Sequence, residues 1–349
     1  MSLQTGPKIF IHRLLENSDL PDDTFLCNPD IRSVKDAKNL KNKKIIARLD
    51  GTSYYKMTGK NLYGFLKQRK PRLSILLFWI KYLPTLPLSF SKFINKYLDR
   101  GALWLLKNAD GLIFQSELSK EMHRKFLGYS EENIKSTIIF NGVSTELFSP
   151  DVNKLNIEGY PKVLISASEY RPHKRLQDAI RLINNMSSSY PMIKLHVIGN
   201  LDNLSKKIVE KLDTSRCVFH GKLNVSDLPS MYASCDLQLS LSIFDPCPNV
   251  VCEGLASGLP VITPTESGAY ELIGDENKSW SVNENLDLDY KTLHTPDKIA
   301  QIPLDKYSNV LDNIVKNLDK NKILARERAL KFLDINLIRK KYIEFMQKI

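Results

Sequence analysis

The chain has 349 residues, of which 42% are apolar and 26% charged, and it carries a formal net charge of +11. That is too long for one ordinary core and suits two domains of roughly 150 residues each, while the composition excludes a disordered or fibrous chain. The positive balance favours anionic partners (nucleotides, nucleic acid or acidic lipid surfaces) without choosing among them.

Taken in chain order, Met1–Phe10 is polar and mixed, with no apolar core of the kind a secretory signal needs. Lys44–Arg48 (KIIAR) predicts a strand that ends at Asp50-Gly51. Between Lys67 and Arg100 stand eight Lys/Arg and one acid, Asp99, interleaved with Leu, Phe and Trp. Lys81, Pro84 and Pro87 interrupt the apolar run Leu73–Phe90, so it makes a poor transmembrane helix. Residues 65–100 could instead lie on an anionic membrane surface, or form a core helix whose cations reach out to water. Ala102–Lys107 and Leu118–Phe126 read as helices; Leu112–Gln115 and Thr137–Phe140 read as strands.

A polar segment, Ser149–Gly159, precedes a clearer α/β alternation. Strands are expected at Lys162–Ala167, Ile193–Ile198, Cys217–His220, Asp236–Leu241 and Leu259–Thr263. Helices are expected at Lys174–Met186, Lys206–Leu212, from Asp227 through Ala233, and at Asn249–Ser257, where Gly258 stops the last. Such alternation implies right-handed crossovers and a parallel, doubly wound sheet. The chain closes on a basic helical segment, Leu337–Ile349. The five cysteines, Cys27, Cys217, Cys235, Cys247 and Cys252, show no disulfide framework, and Cys247/Cys252 have no further ligand at zinc spacing. A reduced, cytosolic setting fits them best.

The chemistry concentrates in Ser242–Glu271. Asp245 precedes a helix start near Pro248-Asn249, and Glu253 lies eight residues on, within the first turns. A helix N-terminus offers free N–H groups and a positive dipole end that suit a phosphate. A Glu carboxylate beside it can accept two hydrogen bonds from a ribose diol. Alone, the pair reads better as a helix-start acid and a solvated helix residue.

This segment resembles glycosyltransferase family 4, whose hallmark is an acid, seven residues, a Glu, small residues and Gly-x-Pro-Val. Here it reads Asp245-(x7)-Glu253-Gly-Leu-Ala-Ser-Gly258-Leu-Pro260-Val261. Further landmarks in family order are Asn108–Ser116, Ile139-Phe-Asn141-Gly142-Val143, Phe219-His220-Gly221, Leu228–Asp236, Ser267-Gly268 and Glu271. Asn108 to Glu271 is covered well, and the first hundred residues only loosely.

The resemblance implies a GT-B fold: two Rossmann-like α/β domains with a cleft between them. Residues 1–150 would be the acceptor side, residues 151–336 would bind the nucleotide-sugar donor, and the helix about 337–349 would pack back on the first domain. It implies a retaining, metal-independent hexosyltransferase that needs no cofactor. The donor would be a nucleotide diphosphate sugar, and the acceptor a glycan or lipid-linked molecule, in surface polysaccharide or glycoconjugate synthesis. Asp245 and Glu253 would be the catalytic pair. Lys174 falls on the family lysine that neutralises the diphosphate. Glu169 stands where the family has Arg, so Arg171 or Arg175 is the expected substitute.

Pro246 and Pro248 remove two backbone donors that the family aims at the sugar, which leaves Asn249 and Val250 as the N–H donors, beside Pro248, at the donor site. Gly51 is a candidate for close backbone approach to the leaving phosphate; an ordinary turn explains it equally. His173 adjoins Lys174 and either contacts the donor or does not. His12 and His123 receive structural roles, and Asp287-Leu-Asp289 reads as solvated surface rather than a metal pair. The chain would be cytoplasmic, peripheral at the inner face of a membrane if 65–100 docks there. Rival readings are a GT-B nucleotide-sugar epimerase, a basic nucleic-acid-binding protein and a non-catalytic sugar-binding relative. No zinc-finger, RNA-binding or Walker signature supports the second.

Overall fold

The computed structural model describes residues 14, 20–40, 42–52, 63, 72, 75, 78–83, 93, 96–243, 245–286 and 301–349. His12, Asp287–Asp289 and most of 65–95 lie outside the described residues.

The N-terminal sheet holds β1 (Thr24–Cys27), β2 (Lys44–Leu49), β3 (Gly111–Phe114) and β4 (Ser136–Ile138), parallel and in that order. Helices α1 (Ile31–Lys38), α2 (Arg100–Asn108) and α3 (Glu117–Leu127) connect and cover it. β3 is buried along its whole length, as a strand covered on both faces must be, and this explains its unbroken apolar sequence. β1 carries no strong sequence pattern. β1 exists because Thr24–Cys27 pairs in register with Lys44–Ala47, a long-range condition that its own four residues do not announce.

The C-terminal sheet has the order β10-β9-β8-β5-β6-β7, again all parallel. Its strands are β5 (Lys162–Tyr170), β6 (Lys194–Leu201), β7 (Cys217–Gly221), β8 (Leu237–Leu239), β9 (Val261–Pro264) and β10 (Ser281–Val282). The covering helices include α4 (Leu176–Asn185), α5 (Asn203–Val209), α6 (Leu228–Ala233), α7 (Asn249–Ala256) and α8 (Gly268–Ile273). Leu176, Ala179, Ile180 and Ile183 of α4 are all buried, which is the helical stripe that the sequence displays.

Three helices finish the chain: α9 (Leu304–Lys316), α10 (Leu318–Phe332) and α11 (Ile335–Gln347). α10 presents only Asn321, Ala325 and Ala329 as buried residues, so no large apolar stripe marks it in the sequence. α11 returns to the first domain, where Ile335, Ile338, Tyr342 and Met346 share a cluster with Ile46, Ile113 and Ile139. Among the described residues two crossings therefore join the domains, and they bond to each other: Val143 N–H donates to Leu333 O (2.9 Å), and Ile335 N–H donates to Val143 O (2.9 Å). Among the described residues, no helix is long and apolar enough to cross a membrane.

Candidate active site

In the second sheet the strand order turns around between β5 and β8: β6 and β7 lie on one side of β5, β8 and its successors on the other. Loops that leave the carboxyl ends of such neighbours splay apart and leave a crevice for a ligand. After β5 comes a tight turn, Pro172–Lys174; after β8 comes the segment that leads to α7. Lys174 Nζ and Asp245 Oδ2 meet there at 2.7 Å, with each side chain about a quarter exposed (27% and 22%). The two are 71 residues apart in sequence and belong to different loops.

Helix α7 starts behind Asp245. Pro248 takes the cap position with extended backbone and no side-chain cap, and a proline costs nothing there because the first N–H groups have no intrahelical partner. Asn249 and Val250 are the first helical residues. Glu253 follows on the inner side, 7% exposed, and accepts a hydrogen bond from Tyr232 Oη at 3.3 Å. Gly254 admits the strand beneath: a Cβ there would lie 1.7 Å from Gln238 Oε1. Fixing α7 against β8 in this way fixes the height of Glu253 above the sheet.

The other cations fare unequally. Arg171 is exposed and tied to Glu169, with Nη2–Oε2 at 2.8 Å. Arg175 is a correction to the sequence reading. Its backbone is left-handed (φ 55°), its side chain is fully buried, and Nη1 grips both carboxylate oxygens of Glu284 at 2.8 and 2.9 Å. Tyr307 Oη donates to the same carboxylate at 2.5 Å. Arg175 thus stitches the turn to the segment after β10 and presents no charge to the crevice. His173 is exposed beside Lys174.

From the first domain, Gly51 meets the crevice loop directly. A Cβ at Gly51 would lie 2.9 Å from Pro246 Cγ, so the close approach that this glycine permits is to Pro246. Asn141 binds the same loop. Its Nδ2 donates to Cys247 O (2.9 Å) and Asn249 Oδ1 (2.8 Å), while its Oδ1 accepts from Arg48 Nη2 (2.8 Å). Arg48, fully buried on β2, also donates to Asp50 Oδ1 at 2.5 Å, and Gln115 donates to that same oxygen. Glu271 on α8 reaches the first domain as well, and accepts from the N–H groups of Glu117 (2.7 Å) and Leu118 (2.9 Å) at the start of α3.

His123 belongs to the core. It is fully buried, its Nδ1 bonds to Ser119 O (2.8 Å), and burial lowers its pKa to about 4. Among the described residues no cluster of three or more His, Cys, Asp or Glu is arranged to hold a metal ion.

Residues 149–292 match the family model described as glycosyl transferases group 1. A curated relative, the alpha-monoglucosyldiacylglycerol synthase of Streptococcus pneumoniae, is 25% identical over 194 residues, 52% of this chain. That stretch is 42% of the relative, so the chain spans less than half of it. The pneumococcal O-GlcNAc transferase GtfA, solved with UDP and GlcNAc, superposes with a TM-score of 0.60 at 14% identity, over 98% of this chain and 59% of that one. HepE from Anabaena, solved with UDP-glucose, gives 0.59 at 15% identity, over 93% and 79%. Sucrose-phosphate synthase of Thermosynechococcus elongatus gives 0.61 at 14% identity, over 98% and 77%. At these identities the structures speak for the fold, which is GT-B: two parallel α/β sheets facing one cleft.

Asp245, Glu253 and Lys174 are expected from the sequence because a spacing motif and one lysine mark them, and the structure brings Lys174 and Asp245 together. The sequence reading overlooked Asp50, Arg48, Gln115 and Glu284, whose meaning depends on partners between 2 and 109 residues away. The only local signal was at Asp50, an acid immediately after a buried strand.

Proposed function

We propose that this chain is a retaining, metal-independent glycosyltransferase of family 4. It moves a hexose from a nucleoside diphosphate sugar to a glycan or lipid-linked acceptor. The observation that carries the reading is the meeting of Lys174 and Asp245 at the turning point of the strand order, with Glu253 buried eight residues further on. The diphosphate lies on Lys174 and on the start of α7, where a cation and helix N–H groups replace a divalent metal. Glu253 accepts the ribose hydroxyls. Asp245, released from Lys174 when the diphosphate arrives, orients the transferred sugar. The acceptor hydroxyl attacks from the face that the diphosphate leaves, so the anomeric configuration is kept, and the leaving phosphate takes up the proton.

A lipid-linked acceptor is favoured by two observations. The relative's name refers to a glycosylated diacylglycerol. The turn Phe78–Tyr82 carries exposed aromatic rings, Trp79 at 77% and Tyr82 at 62%, inside the basic stretch of the sequence. We propose that this turn docks on an anionic membrane surface.

The donor test is thermal stability against UDP, GDP, ADP, dTDP and CMP sugars with EDTA present. A ligand at a hundred times its dissociation constant adds about 2.7 kcal/mol. One nucleotide should stabilise the wild type without metal, and Glu253→Gln should remove that shift. Stabilisation by none of them, or only after a divalent ion is added, contradicts the reading.

A further inference from the structure

The loop after β2 holds a carboxylate that the donor-side chemistry does not use. Asp50 follows the last residue of β2, and its side chain is 24% exposed. Both of its donors converge on one oxygen: Arg48 Nη1 and Gln115 Nε2 bind Oδ1. Oδ2 has no partner among the described residues. Arg48 is fully buried and Gln115 is 4% exposed, so the carboxylate is held from the protein side by buried groups. The backbone is held as well, because Ser119 Oγ donates to Asp50 O.

The neighbourhood fixes where the open oxygen stands. Gly51, the next residue, lies against Pro246, which itself follows Asp245. Asp245 is near enough for its charge to raise the pKa of Asp50, secondary to burial and against the opposing pull of Arg48. Two carboxylates thus approach one space from opposite domains. Asp245 is matched by Lys174, and Asp50 by Arg48. A carboxylate kept half in a crevice, fixed on one oxygen and open on the other, is an acceptor for a hydroxyl group. Arg48 meets Asp50 through Nη1 while its Nη2 donates to Asn141 Oδ1 at 2.8 Å, so the pairing leaves Oδ2 open to another donor.

We propose that Asp50 is the first domain's substrate-touching residue: Oδ2 accepts a hydrogen bond from the acceptor hydroxyl, across the cleft from the sugar held at Asp245. Arg48 and Gln115 are positioning residues that aim it. This assignment rests on the glycosyltransferase reading above.

The test uses Asp50→Asn, which keeps the shape and the bond from Arg48 but offers an uncharged, two-faced group. UDP-glucose binding is read by thermal shift, and glucose transfer by UDP release with diacylglycerol in detergent micelles. The expected result is UDP-glucose binding equal to wild type and a loss of about 100-fold in kcat/KM for diacylglycerol, the worth of one hydrogen bond to a charged group. Gln115→Met covers the case in which Asp50→Asn does not fold. It leaves the ion pair whole, frees the carboxylate to turn, and should raise KM for diacylglycerol with unchanged UDP-glucose binding. Transfer by Asp50→Asn within threefold of wild type overturns the proposal. So does an equal loss of UDP-glucose affinity, which would assign the hydroxyl to the donor. A wild type that does not bind UDP-glucose, or binds it without transfer to diacylglycerol, refutes instead the donor or the acceptor class on which the proposal rests.

Discussion

Lys174 and Glu253 contact the same ligand in the proposed complex but different parts of it, and that separates their variants. Lys174 is the cation of an ion pair with Asp245 and is about a quarter exposed, so its charge is available to an incoming phosphate. Replacing it with Met keeps the stem and removes the charge. Lys174→Met should weaken UDP binding by about 10- to 100-fold, since a charged hydrogen bond is worth about 1.5–3 kcal/mol, and should leave uridine binding unchanged. Glu253→Gln should weaken both, because its hydroxyl partners belong to the ribose. Calorimetric titration with UDP and with uridine separates the two roles; equal loss of both ligands in Lys174→Met would remove the lysine from the phosphate site. Arg175 warns that residue type and position do not suffice. It lies one residue from Lys174, yet Glu284 and Tyr307 hold it inside the domain. Nothing in the local sequence distinguishes the two cations, because the counter-ion of Arg175 is 109 residues away.

At the level of elements, what was legible followed the kind of information that each element needs. α4 shows its stripe locally, and β5, β6 and β8 are short apolar runs, so the sequence displays them. The buried face of α10 is Asn321, Ala325 and Ala329, and β10 is two residues long, so neither stands out. The contact between α8 and α3 belongs to the second group. Ser116 already caps α3 through Ser119 N–H, and the Glu271 carboxylate from the other domain takes the N–H groups of Glu117 and Leu118. An anion at a helix start gains from the hydrogen bonds and from the dipole together, on the order of 0.5–2 kcal/mol. Because this cap spans two domains, it also sets the width of the cleft. Glu271→Ala should lower stability by about 1 kcal/mol. It should also increase the radius of gyration in small-angle scattering, an effect that Ser116→Ala, confined to one domain, should lack. An unchanged radius for Glu271→Ala would reduce the contact to ordinary helix capping.

Among the described residues the two sheets are joined by α11 and by the Arg48–Asn141–Asn249 chain of hydrogen bonds, which carries the first domain's grip to the first residue of α7. One large chemical feature of the sequence remains: the basic, aromatic stretch that contains the turn Phe78–Tyr82. Of the chain's +11 net charge, Lys67–Arg100 carries eight cations and a single acid. Trp79 is 77% exposed, and its ring lies 5.9 Å from that of Tyr82. Each basic residue near an anionic bilayer contributes about 1 kcal/mol, and an interfacial Trp or Tyr adds apolar contact that salt does not screen. The two contributions therefore make different predictions. Wild-type protein should float with phosphatidylglycerol-containing vesicles at low salt and not with purely zwitterionic ones. Raising the salt should weaken that binding without abolishing it. Trp79→Ala combined with Tyr82→Ala should leave a weaker association that salt removes completely, because only the screened part remains. If wild-type protein stays at the bottom of the gradient with anionic vesicles at low salt, the aromatic turn is not a membrane contact. The lipid-linked acceptor would then rest on the relative alone.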